Sequence, residues 1–384
     1  MRRTTKFLAA RNLPISSFCW IIESSHLNQI SHITSVVKQA ARDAGFELAG
    51  IAPVRDFPEL DYFPAWIEAG HAGEMKYMEA RDDAGSLKRA SLRTATPWAR
   101  SVIVCAINYN TAAAYSTEFD DPERGWISRY AWGREDYHEA VMQRLRAVEE
   151  RLSLVCKEPS AGSERPLETR CYVDTGPLVE RVYAKYAGVG WIGKNTCILN
   201  QKIGSWIFLG VILASLELSP DLPAPDRCGT CTRCIDACPT DALIAPYQLD
   251  SNKCIAYLTI EKHGAIPMEM REGMGQHIFG CDICQDVCPW NRKAPPTTAS
   301  EFQPQEGLVN PALEWLAEIS AEEFRSKFRG SPIRRAKRNG LRRNAVIAMG
   351  NSGNRHFSPV LKKLALDEDP VIAESAIWAS KKIG

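Results

Sequence analysis

Apolar positions along the chain first follow a helical rhythm and then gather into short, nearly continuous runs. Ser35 to Ala44 has helical periodicity, a Ser/Thr cap before it and Gly45 to stop it, which predicts a helix after structure begins near Thr34. Phe46 to Ala52 alternates as a strand does, and Ser101 to Tyr109 is the near-unbroken apolar run of a buried central strand. Asp136 to Val155 reads as a long amphipathic helix, and Glu158 to Thr169, rich in Pro, Ser and Glu, as a surface loop. Cys171 to Val173 and Ser205 to Leu213 are further strands, with a helix at Pro177 to Ala187 between them. Strands alternating with helices predict an α/β domain over residues 34–222, closed by a Pro-rich linker from Ser219 to Pro225. A cysteine-rich segment follows over residues 223–296, and residues 297–384 read as helical. In that last part RRNAVIAMGNSG and AESAIWASKKIG match each other about 32 residues apart, a helical-repeat period. Two copies are equally compatible with an ordinary helical hairpin.

The 384 residues, 45% hydrophobic and 24% charged, are those of a globular protein, which excludes a fibre or a wholly disordered chain. The most apolar stretch, Trp206 to Leu216, is shorter than the roughly 20 residues that span a membrane. Residues 1–33 have a patchy apolar run broken by Arg11, Asn12 and Pro14, which suits a disordered extension better than a signal peptide. The net charge of +1 conceals an asymmetry, because nine basic residues and no acidic one lie between Arg325 and Arg343. A solvated face is the ordinary fate of such a run. Nine cations without an acid argue instead for phosphate contact, with Arg334, Arg335, Lys337 and Arg338 at its centre and Lys262 and His263 extending it.

Eight of the 13 cysteines lie between Cys228 and Cys288, too dense for a disulfide framework spread through a secreted chain. Cys228, Cys231, Cys234 and Cys238 keep the spacing C-x₂-C-x₂-C-x₃-C-P, in which three thiolates wrap one cubane and the fourth serves another. Cys281, Cys284 and Cys288 repeat the pattern without its first member, and Cys254 is the nearby replacement. The wiring is then crossed. One [4Fe–4S] cluster takes Cys228, Cys231, Cys234 and Cys288, and the other takes Cys238, Cys254, Cys281 and Cys284. Zinc is the alternative for paired C-x₂-C, but eight cysteines with two C-x₃-C-P endings favour two clusters.

A pair of clusters is a wire for single electrons, so the preceding domain should hold the chemistry. Asp174 ends a predicted strand and opens onto a helix, where α/β sheets hold ligands and where a buried carboxyl can donate a proton. Its ordinary alternative is a helix N-cap. The glycine-dense Gly188 to Asn195 allows close backbone approach to a ligand but lacks the Walker spacing.

The blocks HAGEMKYM, ISRYAWGREDYH, VDTGPLVER, AGVGWIGKNTCILN, GSWIFLGVIL, CIAYLTIEKHGAIP and GCDICQDVCPWN are similar, in order, to those of epoxyqueuosine reductases. The resemblance runs from about Thr34 to Asn291 and on through SPIRRAKRNGLRRNA. It implies a cobalamin-dependent, two-cluster oxidoreductase that reduces epoxyqueuosine to queuosine at the wobble position of tRNA. It also implies a cobalamin domain related to those of reductive dehalogenases, a ferredoxin-like module and a HEAT-like helical tail. Asp174 matches the family's proton donor, and Arg81, Asn195, Ile198, Asn200, Leu209, Ala256 and Asp282 match positions lining its cobalamin. One extra residue in the Ile127 block leaves Tyr130, Ala131 and Trp132 as alternatives for the residue facing cobalt, with Trp132 as the expectation. The D-x-H-x-x-G signature fails at Val141, in keeping with the family's base-off cobalamin. The partners implied are tRNA and an external low-potential electron donor, for a monomer in the cytoplasm. A dehalogenase-like reductase of small molecules would have no reason for the basic tail. A simple electron carrier would not need the domain before the clusters.

Overall fold

The computed structural model describes residues 15–157 and 166–384, with side chains from Leu27 onward. Its first domain is built on a four-stranded sheet in the order Leu48–Pro53, Ser101–Asn108, Ile207–Ala214, Thr169–Tyr172. Every pairing is antiparallel, with Ile51 opposite Ile103, and Ile103 and Cys171 each opposite Ile212. The alternation of strands and helices is present, but no crossover joins parallel strands within this sheet.

All eight residues of Ser101–Asn108 are buried because helices cover both faces of the sheet. Ile103, Cys105 and Ile107 face the long helices Ile15–Asp43 and Tyr137–Cys156, meeting Val37, Val141 and Leu145. Val102, Val104 and Ala106 face the short helix Glu180–Tyr186 through Val182 and Tyr183. Burial on both sides explains the continuous apolar run, each such side chain contributing about 1.5–3 kcal/mol.

The first helix begins at Ile15 rather than near Thr34, so residues 15–33 are helical where an extension was expected. The physical reason is visible in the sequence, since no Pro or Gly interrupts Ile15 to Asp43. Residues 1–14, and most of the expected loop from Glu158 to Thr169, lie outside the described residues; Thr169 already belongs to the edge strand. No helix among the described residues is long and apolar enough to cross a membrane.

The cysteine-rich segment joins the first domain through a short parallel pairing of Trp126–Ile127 with His277–Phe279. The C-terminal helices Lys337–Ser352 and Pro370–Ile383 pack on each other and on this junction. One apolar core runs from Trp126 and Trp132 through Phe279 and Leu316 to Leu341 and Ile383. The tail is therefore fused to the body rather than appended to it.

Candidate active site

Asp174 lies just beyond the edge strand Thr169–Tyr172, on a loop that leads to the helix Glu180–Tyr186. The N-cap of that helix is Val179, which removes the reading of Asp174 as a helix cap. Asp174 adopts φ +59°, a left-handed conformation that costs a side-chain-bearing residue energy and that its neighbours must maintain. Two of them act directly. The backbone N–H of Asp174 donates to Glu180 Oε1 at 2.9 Å, and Tyr137 Oη donates to Asp174 Oδ2 at 2.5 Å. His138 Nε2 stands 3.9 Å from the same oxygen, and its Nδ1 meets Asp136 Oδ1 at 2.7 Å. The Asp174 side chain remains 50% exposed, so it can meet a substrate. Burial raises the Asp136 carboxyl, but the hydrogen bonds from His138 outweigh it and hold the carboxyl below its ordinary range. Glu180 behaves oppositely: burial first, and then the neighbouring Asp174, push it well above the glutamate range.

Three parts of the chain meet around this carboxylate. Tyr130 packs edge-on against Tyr137 with centroids 5.9 Å apart, and burial raises its hydroxyl. Its electrostatic neighbours are Arg335 from the tail, Asp174, and Asp282 and Glu261 from the cysteine module. Arg335 binds Glu261 at 2.6 Å, donates to Tyr77 Oη at 3.1 Å and lies 5.6 Å from the Tyr77 ring centroid. Arg89 approaches the same ring at 6.0 Å. Half-exposed aromatic and guanidinium groups thus lie in the neighbourhood of the acid.

The cysteines of the motif lie near enough to raise one another's thiols. Cys288 feels Cys228 and Cys234, and Cys234 feels Cys228 and Cys231. Cys281 feels Cys254 and Cys238, and Cys284 feels Cys281 and Cys254. Backbone N–H groups turn toward the sulfurs, as Ala242 does to Cys238 Sγ at 3.3 Å. Among the described residues no group of three or more His, Cys, Asp or Glu is placed to hold a single metal ion. Eight cysteines are the donor number that two [4Fe–4S] clusters require. Sequence reasoning did not single out Cys197, a neighbour of Cys284 whose thiol is lowered to about 7. Its position inside AGVGWIGKNTCILN was the available signal.

Residues 227–291 match a family model described as a 4Fe-4S double cluster binding domain. Residues 89–175 match one described as epoxyqueuosine reductase QueG, DUF1730. The chain is 39% identical over 360 residues to the epoxyqueuosine reductase of Pseudomonas aeruginosa, covering 92% of this chain and 95% of that one. It is 44% identical over 301 residues to that of Synechocystis sp., covering 77% and 98%. The chain belongs to the epoxyqueuosine reductase family. Its fold matches, at TM-score 0.79 and 31% identity, a crystal structure of epoxyqueuosine reductase with a tRNA-Tyr epoxyqueuosine-modified stem loop, covering 91% of this chain and 89% of that one. A second match, at TM-score 0.78 and 30% identity with the same coverage, is a Bacillus subtilis epoxyqueuosine reductase whose catalytic loop is swung out of the active site.

The epoxyqueuosine reductase resemblance singled out further residues, and the structure places them unequally. Ala256, Leu209 and Asn200 are partly exposed, and Arg81 is exposed with its guanidinium on Gly85 O at 2.7 Å. Asn195 and Ile198 are buried, Asn195 holding Cys284 O at 3.2 Å. Trp132 requires correction. It is fully buried with its indole N–H on Ile127 O at 2.7 Å, and of the three alternatives only Tyr130 reaches the surface. Asp282 is likewise fully buried, accepting from Trp126 Nε1, Ser128 Oγ and Arg129 N at 3.1, 2.5 and 2.7 Å. It braces the wall of the site rather than lining it.

The basic run also divides. Arg334, Arg335 and Lys337 are exposed, whereas Arg338 Nε is spent on Ile319 O at 2.7 Å. Arg342 and Arg343 are buried, so these two members of the run add nothing to a cationic surface. Arg342 binds Asp367 at 2.6 Å and Ala317 O at 2.8 Å. Lys262 pairs with Glu74, whose other oxygen accepts from His263 N at 2.9 Å; the His263 side chain is exposed.

Proposed function

We propose that this chain reduces epoxyqueuosine to queuosine at the wobble position of tRNA, using cobalamin bound base-off and fed by the two [4Fe–4S] clusters. The observation that carries the reading is a chain of contacts: Tyr137 joins Asp174 to Tyr130, Tyr130 packs on Phe279 of the cysteine-rich segment, and Arg335 of the tail binds Glu261 of that segment. Epoxide removal takes two electrons and two protons, and these three parts provide an electron path, an acid and a cationic surface.

Cobalamin supplies the strong nucleophile and the two-electron capacity that single-electron clusters lack. Ala256, Leu209, Asn200 and Arg81 are the residues whose exposure fits contact with it. The histidine beside Asp174 is committed to Asp136 and Asp174, which suits a corrin held without a histidine ligand. Asp174 protonates the oxygen as it leaves carbon, and Tyr137 and Glu180 hold that carboxyl in place. Arg334, Arg335 and Lys337, on a HEAT-like tail, hold the tRNA backbone, with His263 at the edge of the footprint. The protein works in the cytoplasm as a monomer supplied by an external low-potential donor.

The test is an anaerobic reaction of reconstituted protein, cobalamin and a low-potential reductant with an epoxyqueuosine-bearing stem loop. The nucleoside should lose the mass of one oxygen, and omitting cobalamin should abolish the loss. Equal conversion without cobalamin would overturn the cofactor assignment, and no conversion under any condition would overturn the function.

A further inference from the structure

The cysteine-rich segment has a covered side and an open one. Cys254 and Cys281 pack with Leu258, Met274 and Ile347, so the tail closes over them. Cys228 and Cys288 pack instead with Trp191, Leu199 and Trp290, and no tail residue joins that cluster. The flanks of the first cysteine run are exposed at Arg227, Gly229, Thr232 and Arg233, whereas Asp282 and Asp286 in the second run are buried. The open side is also cationic. Lys202, Arg227, Arg233, Arg292 and Lys293 are exposed, and among the described residues none of them is ion-paired. They adjoin one another. The Arg227 guanidinium meets the Gln201 side chain next to Lys202, and Ser205 N donates to Asn291 Oδ1 at 2.7 Å, which brings that turn beside Arg292 and Lys293. Lys194 adds a sixth charge, its ammonium donating to Gly229 O and Cys231 O at 2.7 and 3.0 Å rather than to a carboxylate. Asp226, Asp236 and Asp241 are the acids of the first run, so the cations outnumber them two to one. Beside this rim Leu222 is 88% exposed, on the linker whose Ala224 packs with Cys228 and Trp290.

We propose that this open side is the docking surface of the external electron donor, and that the donor is a small acidic redox protein. This rests on the epoxide reduction proposed above, which takes its two electrons from outside the chain. A carrier seated here reaches the cysteines of the first run without crossing the tail. Each encounter oxidises the carrier by one electron and reduces the cluster of that run by one, so two encounters supply one epoxide. A cationic rim steers an anionic partner and sets its orientation, while an exposed aliphatic side chain gives a small apolar contact. Such a patch suits a short-lived protein encounter. It suits a tRNA backbone less well, because phosphates offer Leu222 nothing to bury against, and the exposed Arg334 and Lys337 lie on the tail. Electrons and tRNA thus approach the molecule at different surfaces, and the carrier can exchange while the substrate stays bound.

The test uses the cluster-loaded chain without substrate and, as probe, an acidic flavodoxin in its fully reduced form. Stopped-flow absorbance follows the flavin semiquinone as it appears and the clusters as they bleach. For the wild type the second-order rate should fall steeply with added salt. Combined Lys202→Glu, Arg292→Glu and Lys293→Glu should lower that rate at least about tenfold at low ionic strength, the lower bound for electrostatic steering, with the gap closing in high salt. Iron content should be unchanged, and reduction by the small methyl viologen radical cation should not slow, which shows that the clusters are intact. Equal flavodoxin rates for the two proteins, or a wild-type rate indifferent to salt, would overturn the proposal. So would a loss of stem-loop affinity in the triple variant, since RNA would then be what covers the patch. Cluster reduction is read with no epoxide present, so a chain that converts no epoxyqueuosine would sink the proposed function and leave this comparison standing.

Discussion

Asp174 is engaged on two sides, by the Tyr137 phenol at its carboxyl and by Glu180 at its backbone N–H. Its replacement by Asn should leave both clusters in place and slow turnover at least about 100-fold, the low end for acid–base catalysis. Near-normal turnover in folded Asp174→Asn protein would remove it from the chemistry. Tyr137→Phe removes the phenol that holds the Asp174 carboxyl. It should lower turnover with cluster content unchanged, and turnover equal to the wild type would take Tyr137 out of the site. At this scale the double-cluster module was legible in the sequence because cysteine spacing is set by local geometry around a cubane. Trp132 was not, because whether a tryptophan faces a cavity or a core depends on contacts such as Ile127 O and Phe279 that periodicity does not encode.

Among the elements, the basic segment shows how charge alone misleads. Arg343 donates to the carbonyls of Leu258, Lys262 and Gly264 at 2.7–2.9 Å, closing the end of the helix Ile255–Ile260 and the turn after it. Burial lowers its guanidinium to about 10, yet it has partners for its donors and works as a clamp between tail and module. Arg343→Ala should orphan these carbonyls and cost about 3 kcal/mol, read as a fall of several degrees in Tm. Exposed Arg334→Ala and Lys337→Ala should stay within about 0.5 kcal/mol of the wild type. An equal Tm for Arg343→Ala would refute the clamp. The sequence located the strands through unbroken apolar runs, which only two-sided burial produces. It did not reveal that they pair antiparallel, since partners such as Ile51 and Ile103 are far apart in the chain.

In the whole molecule, the three segments share one core and close around one site. The site was half legible for that reason: each motif could be read in its own segment, but their convergence on Tyr130 depends on long-range packing. The exposed cations make a testable contribution at this scale. If Arg334 and Lys337 contact phosphates, the double Ala variant should weaken tRNA binding and lower the log affinity–log salt slope by about 1 to 2. Identical slopes would make them a solvated face. The central claim is that the clusters, the acid and the tRNA surface serve a single reaction. It is tested most directly by cobalamin-loaded protein that is fully reduced, freed of reductant and mixed with excess epoxyqueuosine stem loop. The account predicts about one queuosine per chain, formed in step with the return of oxidised-cluster absorption, two electrons leaving for each oxygen lost. Product formed while the clusters stay reduced, or clusters oxidised with no oxygen removed, would contradict it.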